Sequence, residues 1–397
     1  MLLRFFIFIS LAIFLFFPIM GILTFIMVKI VYNKREKFTD NLLFGTITLY
    51  ACLVQATRIW KPGQPSDWYN EGYWGLFQDA GITPFFTYIF GFKEPVWNLL
   101  NYFGYHLTSG NYYIFINGIT IITIFITCYS IFLFWRATNA DTLTLVASLA
   151  LIVFFSEYIS NLNNITRQSF ALSIVMYVFT IRITKQKTLW FLLLSACFIH
   201  TFAFIYFILF LIKPLHQKLD GKNLKRFMYA VLGLAVFFMV LPFIGRLVSG
   251  IGFLAYGFSR LEENTTGALD DTVFNMTPLY VTSSLMIIIC IYMIGKTKEK
   301  IFNFYTNLLL VLMTACLILA NTSEGLVSRL YISRMYILPF VLPYLLLDKK
   351  ILHTFYTWAI VLFFGSHFLM GFDSLRGGGF FPALNSLLSY SIIDFIL

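Results

Sequence analysis

The sequence predicts an all-α polytopic membrane protein, with about 10–12 transmembrane helices in a single integral membrane domain over residues 1–397. Three observations carry that prediction. Of 397 residues, 59% are hydrophobic and 12% charged, whereas a soluble domain carries about 25% charged residues. Apolar segments recur along the chain at about the 17–25 residues needed to cross a hydrocarbon core roughly 30 Å thick. No soluble domain and no internal repeat interrupts them.

Taken in order, segment 5–28 is too long for the apolar core of a signal peptide and has no small-residue cleavage site, so it is expected to span. Segments 41–57, 112–135, 142–158 and 168–184 follow, then 227–245, 279–295, 304–320 and 354–371, with a weaker apolar run at 384–397. In 327–347, Arg329 and Arg334 precede an apolar stretch too short to span alone. The helix is therefore expected to begin at or before them, with both near the outer leaflet. Cys52, Cys128, Cys197, Cys290 and Cys316 all sit inside apolar runs without metal-ligand spacing, and read as small core residues.

Region 189–212 is a special case. Cytoplasmic loops carry an excess of Lys and Arg. If 189–212 crosses once, the 28 basic residues divide 13 and 15 between the two faces; if it dips in and returns, they divide 18 and 10. The second arrangement is the expected one. Leu189 to Ile199 makes about 16 Å of helix, half a bilayer, so His200-Thr201 becomes the apex of a broken, re-entrant hairpin, a form tolerated where it is buried in protein or lines a cavity. The alternative is one 24-residue helix with a satisfied histidine in its core. The hairpin makes loops 33–40, 185–188, 213–226, 296–303 and 348–353 cytoplasmic, and the long loops 58–111 and 246–278 outer.

This topology sorts the cations by type: 14 Lys and 4 Arg inside, 8 Arg and 2 Lys outside. Inner lysines need only set orientation. Outer arginines, among them Arg58, Arg167, Arg246, Arg260, Arg329 and Arg334, run against the rule. The guanidinium fork binds phosphate or carboxylate bidentately, which lysine cannot do; pairing with outer carboxylates is the plainer reading for some of them.

Several outer groups carry candidate chemistry. Arg58, Asp67, Tyr69 and Glu71 lie in a loop that holds four of the seven tryptophans. Such rings form interfacial belts, but interleaved with carboxylates they also suit sugars. Glu94-Pro95 fits a helix start with proline at its first position, or an outward carboxylate that takes a proton from an attacking hydroxyl. Arg167-Gln168 opens an apolar segment, and ionisable groups at membrane depth are costly and mark function. His200 is the candidate general base, since histidine titrates near neutrality; Glu94 and Asp67 are the carboxylate rivals and His367 the reserve. Gly377-Gly378-Gly379 lacks the context of a phosphate loop. Neither a metal nor a nucleotide cofactor is indicated, and nothing points to nucleic acid.

In order along the chain, these elements resemble the EpsG/Wzy-type bacterial polysaccharide (O-antigen) polymerases. Arg58 with Asp67 and Tyr69 is similar to the family's Arg…Gly-x-Asp…Tyr opening, with Pro65-Ser66 replacing the Gly-x. Glu94-Pro95 with Trp97 and Leu100 resembles its Glu-Pro-apolar block, Arg167-Gln168 through Ala171 its Arg-Gln-x-x-Ala helix start, and Ala196 to His200 its Ala-x-x-x-His element.

The resemblance implies a metal-independent glycosyltransferase of the bacterial inner membrane, working on the periplasmic face. Undecaprenyl-diphosphate-linked oligosaccharide repeat units would be both donor and acceptor, and a chain-length regulator protein would be a partner. His200, Arg167, Glu94 and Asp67 would be catalytic; Arg58, Tyr69, Gln168, Arg260, Arg329 and Arg334 would bind substrate. A flippase of the same pathway is the alternative, though it is expected to show pseudo-repeat halves and central charges. An O-antigen ligase, differing only in acceptor, also stays open.

Overall fold

A computed structural model describes residues 2–32, 35–58, 94–153, 155–220, 223–229, 232–233, 236, 276–296, 299–320, 324–347 and 390–393. Among these residues every regular element is a helix, as the apolar patterning predicts for a chain that must satisfy its backbone within lipid. In chain order they are α1 (Leu2–Phe16), α2 (Pro18–Tyr32), α3 (Lys37–Ala56), α4 (Pro95–Leu107), α5 (Tyr112–Arg136), α6 (Thr142–Val153), α7 (Ser156–Asn164), α8 (Thr166–Lys185), α9 (Trp190–Ile199), α10 (Ala203–Leu211), α11 (Met276–Lys296), α12 (Asn303–Leu319) and α13 (Glu324–Ile337). Among the described residues two apolar stretches, Tyr112–Arg136 and Lys300–Leu319, are long enough to cross a membrane unaided. The α6–α7 pair, bent by 49°, counts as a third if taken as one broken span.

The expected single helix over 5–28 is instead a hairpin. Pro18 takes the first position of α2, and the residue before a proline is driven out of the helical region, so the run breaks at Phe17. Gly21 lets the two helices close: a Cβ there would lie 2.4 Å from the Phe14 backbone. The guanidinium of Arg4 reaches Glu36, which brings the start of α1 beside the end of α2. Two other segments are also interrupted. Segment 142–158 divides between α6 and α7, and 327–347 leaves the α-helix after Ile337 for 3-10 turns at Leu338–Phe340 and Leu342–Leu347, each with a proline at its second position. Segment 354–371 lies outside the described residues, as do most of 227–245 and most of 384–397.

Helix α8 is the central element, packing against α5, α7, α9, α10 and α13. Residues 168–181 are all buried except the half-buried Tyr177. One end of the structure gathers the basic sequence. Arg35 stacks 4.2 Å over Trp135 and donates to the Thr138 carbonyl at 2.8 Å, while Phe134 meets Phe302 and Tyr344 ring to ring. Helix α8 stops at the same end, where Gln186 takes a left-handed conformation (φ 57°) and turns the chain toward α9.

Region 189–212 folds back on itself as a hairpin. Helix α9 runs ten residues to Ile199, His200 is extended (φ −149°, ψ 123°), and α10 returns from Ala203. The Trp190 ring at the start of α9 lies against Phe207 and Phe210 near the end of α10, and Phe198 meets Phe204 across the apex. Both feet of the hairpin are thus at the basic end, and His200 is at the tip.

Candidate active site

The site forms where three chain breaks meet: the start of α4, the α7–α8 junction at Ile165 and the tip of the α9–α10 hairpin. Pro95 sits at the first position of α4, but the Glu94 side chain does not cap its own helix. It turns to α8 instead. Arg167, in the first turn of α8, donates from Nη1 to Glu94 Oε2 at 2.6 Å. The other carboxylate oxygen, Oε1, accepts the Thr201 N–H at 3.4 Å and faces His200 Nε2 at 4.0 Å. Glu94 and His200 are buried, and the Arg167 side chain is 24% exposed. Three motifs separated by 73 and 33 residues in sequence therefore converge on one carboxylate.

The hairpin tip fixes the histidine ring. The Phe202 N–H points at His200 Nδ1 at 3.3 Å, which makes Nδ1 the acceptor nitrogen and leaves the proton of the neutral ring on Nε2, toward Glu94. The His200 backbone is held as well, its N–H donating to Ala196 and its carbonyl accepting from Ala203.

Around this centre the other sequence candidates take separate places. Gln168 donates to the Arg329 carbonyl at 3.4 Å, tying α8 to α13, and Arg329 is half-buried on that helix. One turn on, Arg334 is buried and grips Glu157 on α7 through both carboxylate oxygens, at 2.6 and 2.7 Å. Its guanidinium lies 3.4 Å over the Tyr331 ring, and it also donates to the Tyr331 carbonyl. Helix α13 begins at Glu324, upstream of both arginines, as their position before a short apolar stretch requires. Asp67, Tyr69 and Arg260 lie outside the described residues, with the tryptophan-rich part of loop 58–111 and with His367.

Asn163 and Gln55 were not singled out from the sequence. Arg58, buried past the end of α3, donates to Asn163 Oδ1 at 2.5 Å; Gln55 Nε2 donates to the same oxygen at 2.9 Å and to Thr120 at 3.2 Å. Asn163 thus holds Arg58 against the last turn of α7, four residues before Arg167. The available signal was the polar run Asn161-Leu162-Asn163-Asn164 within an apolar chain. Glu157, the partner of Arg334, precedes that run on the same short helix.

The sequence model of the EpsG family matches residues 41–385, a span that holds Glu94, Arg167 and His200. The chain belongs to the EpsG family. Membership brings with it a membrane protein of polysaccharide-polymerase type. No curated protein and no solved structure matches the chain. Within this EpsG-family chain the convergence of Glu94, Arg167 and His200 is a property of the fold as well as of the motifs: a carboxylate, a guanidinium and an imidazole are packed together at the ends of broken helices. Such a group offers one proton acceptor, a cationic fork and one N–H donor.

Proposed function

We propose that the protein polymerises undecaprenyl-diphosphate-linked oligosaccharide repeat units into O-antigen or a similar surface polysaccharide on the outer face of the bacterial inner membrane. The observation that carries this reading is the Arg167–Glu94–His200 cluster. An acceptor sugar hydroxyl attacks the anomeric carbon of a donor glycan, the bond to the diphosphate breaks, and undecaprenyl diphosphate leaves with the bonding electrons. The hydroxyl proton goes to Glu94 Oε1, the oxygen that faces His200; the Nε2–H of His200 orients the hydroxyl. This moves the general base from the histidine to the carboxylate, because Nδ1 already accepts a backbone N–H.

Arg167 suits the leaving group. A guanidinium has five N–H donors, enough to hold Glu94 and a phosphate oxygen together. It also stands in the first turn of α8, where the helix dipole favours anions. Arg329, one helix over and tied to α8 through Gln168, supplies a second cation. Arg58, Tyr69, Gln168, Arg260 and Arg334 are the remaining candidates to line the glycan and lipid-phosphate path, and Asp67 a further carboxylate for the acceptor. Purified protein given lipid-linked repeat units is expected to extend them into a ladder. Arg167→Lys and Arg329→Lys should lose nearly as much as the alanine variants, on the order of 100-fold or more, as for removal of an oxyanion donor, since a point charge does not replace the fork. Normal ladders from both lysine variants would remove the arginines from the leaving-group role.

Orientation follows the same reading. The α1–α2 hairpin puts Arg4 at the end that holds the basic clusters, so the expected division of cations widens from 18 and 10 to 19 and 9. With that end cytoplasmic, single cysteines at 187 and 218 should resist impermeant reagents added from outside, and those at 64 and 265 should react. Labelling of 218 but not 187 from outside would contradict the arrangement.

A further inference from the structure

The geometry points to a second ligand site, at the feet of the hairpin: a binding pocket for the phosphate headgroup of an anionic membrane lipid. A cavity of about 600 Å³ opens there between the end of α8, the start of α9, the end of α10 and the start of α12, well within the range of small-ligand sites. Arg182, Lys213 and Lys300 line it, together with His216, and among the described residues no acidic side chain does. Among the described residues neither Lys213 nor Lys300 has an ion pair or a hydrogen bond from its ammonium. Arg182 donates from Nη1 to the Gln186 carbonyl at 3.0 Å. Three cations on three different segments thus face one cavity.

The surroundings select the source of the phosphate. The rim carries Trp190, 48% exposed, and Leu211, 54% exposed, and Phe191 beside them is 81% exposed. Apolar side chains at the mouth of a basic cavity match an amphiphile: the head enters among the cations while the acyl chains lie along the outer surface of α9 and α10. Basic pockets between membrane helices bind anionic headgroups in this way. His216 has a structural part. It stacks on Phe304 at 4.4 Å, and burial lowers its pKa, leaving Nε2–H to donate to the Phe210 carbonyl at 2.9 Å. The imidazole therefore joins the end of α10 to the start of α12 and forms the back wall. The hairpin that carries His200 is anchored through this wall, so a lipid held here would brace the hairpin at its base.

The test uses the full chain purified in a neutral detergent. Phosphatidylglycerol should raise the melting temperature and bind saturably, whereas phosphatidylcholine and inorganic phosphate at the same concentration should do neither. Lys213→Gln and Lys300→Gln, both exposed and safe for folding, should each weaken phosphatidylglycerol binding about fivefold. The triple variant with Arg182→Gln should weaken it on the order of 100-fold, since each cation near an anionic lipid surface contributes about 1 kcal/mol, roughly fivefold apiece. Lys225→Gln, away from the cavity, should change nothing. Wild-type binding by both single variants would overturn the site. So would an equal loss in Lys225→Gln, which marks general surface charge, or an equal shift with inorganic phosphate, which marks a free anion rather than a lipid.

Discussion

Glu94→Gln is expected to abolish chain growth, lowering the rate of polymerisation by about 100- to 10,000-fold, the range set by loss of a positioned acid–base group. The substitution keeps the shape of the side chain and one acceptor oxygen, but removes the charge that Arg167 meets at 2.6 Å and the basicity that the reaction needs. Stability should fall less than activity. Breaking a buried ion pair costs about 3–5 kcal/mol when the surviving charge stays buried, but the Arg167 side chain is 24% exposed and can rehydrate, so about 1–2 kcal/mol is the reasonable expectation. Chain growth from purified lipid-linked repeat units, read as a ladder beside the melting temperature of the same sample, separates the two effects. Glu94→Asp keeps the charge one methylene further from its partners and should fall between glutamine and wild type. A full ladder from Glu94→Gln at the wild-type rate would end the assignment of this carboxylate as the base.

How much of this was legible in the sequence depends on which physical signal each feature leaves. Glu94, Arg167 and His200 were visible because an ionisable group beside or within an apolar run is costly enough to need a reason. Their meeting was not visible, since it depends on where α4, α8 and the hairpin tip come to rest. The hairpin itself was legible from charge, since only a returning 189–212 would put the basic clusters on one side, and the Trp190–Phe210 contact shows that the chain does return. Hydropathy was less informative about continuity. The run 5–28 is apolar throughout, yet Pro18 divides it, and the local proline signal was outweighed by the length of the run. The break between Val153 and Ser156 leaves no such mark, having neither glycine nor proline. Asn163 was hidden for a different reason. A short amide in a polar run reads as a loop residue until Arg58, 105 positions earlier, is found against it. The site is thus written in rare polar residues, and its architecture in breaks that composition does not record.

The division of labour between Glu94 and His200 gives the last expected result. With Nδ1 accepting the Phe202 N–H, His200 presents an N–H donor to the space beside Glu94 Oε1. A 4.0 Å gap between Nε2 and that oxygen is too long for a hydrogen bond and lets a hydroxyl approach both. His200→Ala removes the donor and should abolish chain growth while leaving binding of the lipid-linked substrate intact. His200→Gln retains an N–H donor of similar reach, so it should recover part of the lost rate, about tenfold or more above alanine, the value of a hydrogen bond to a charged or developing charged group. A histidine acting as the base cannot be replaced this way, because an amide does not take up a proton near neutrality. Comparing the two variants in one assay with substrate binding measured separately decides the matter. Partial rescue by glutamine keeps the base on Glu94. Equal inactivity of His200→Gln and His200→Ala, with full activity in Glu94→Gln, would return the base to the imidazole.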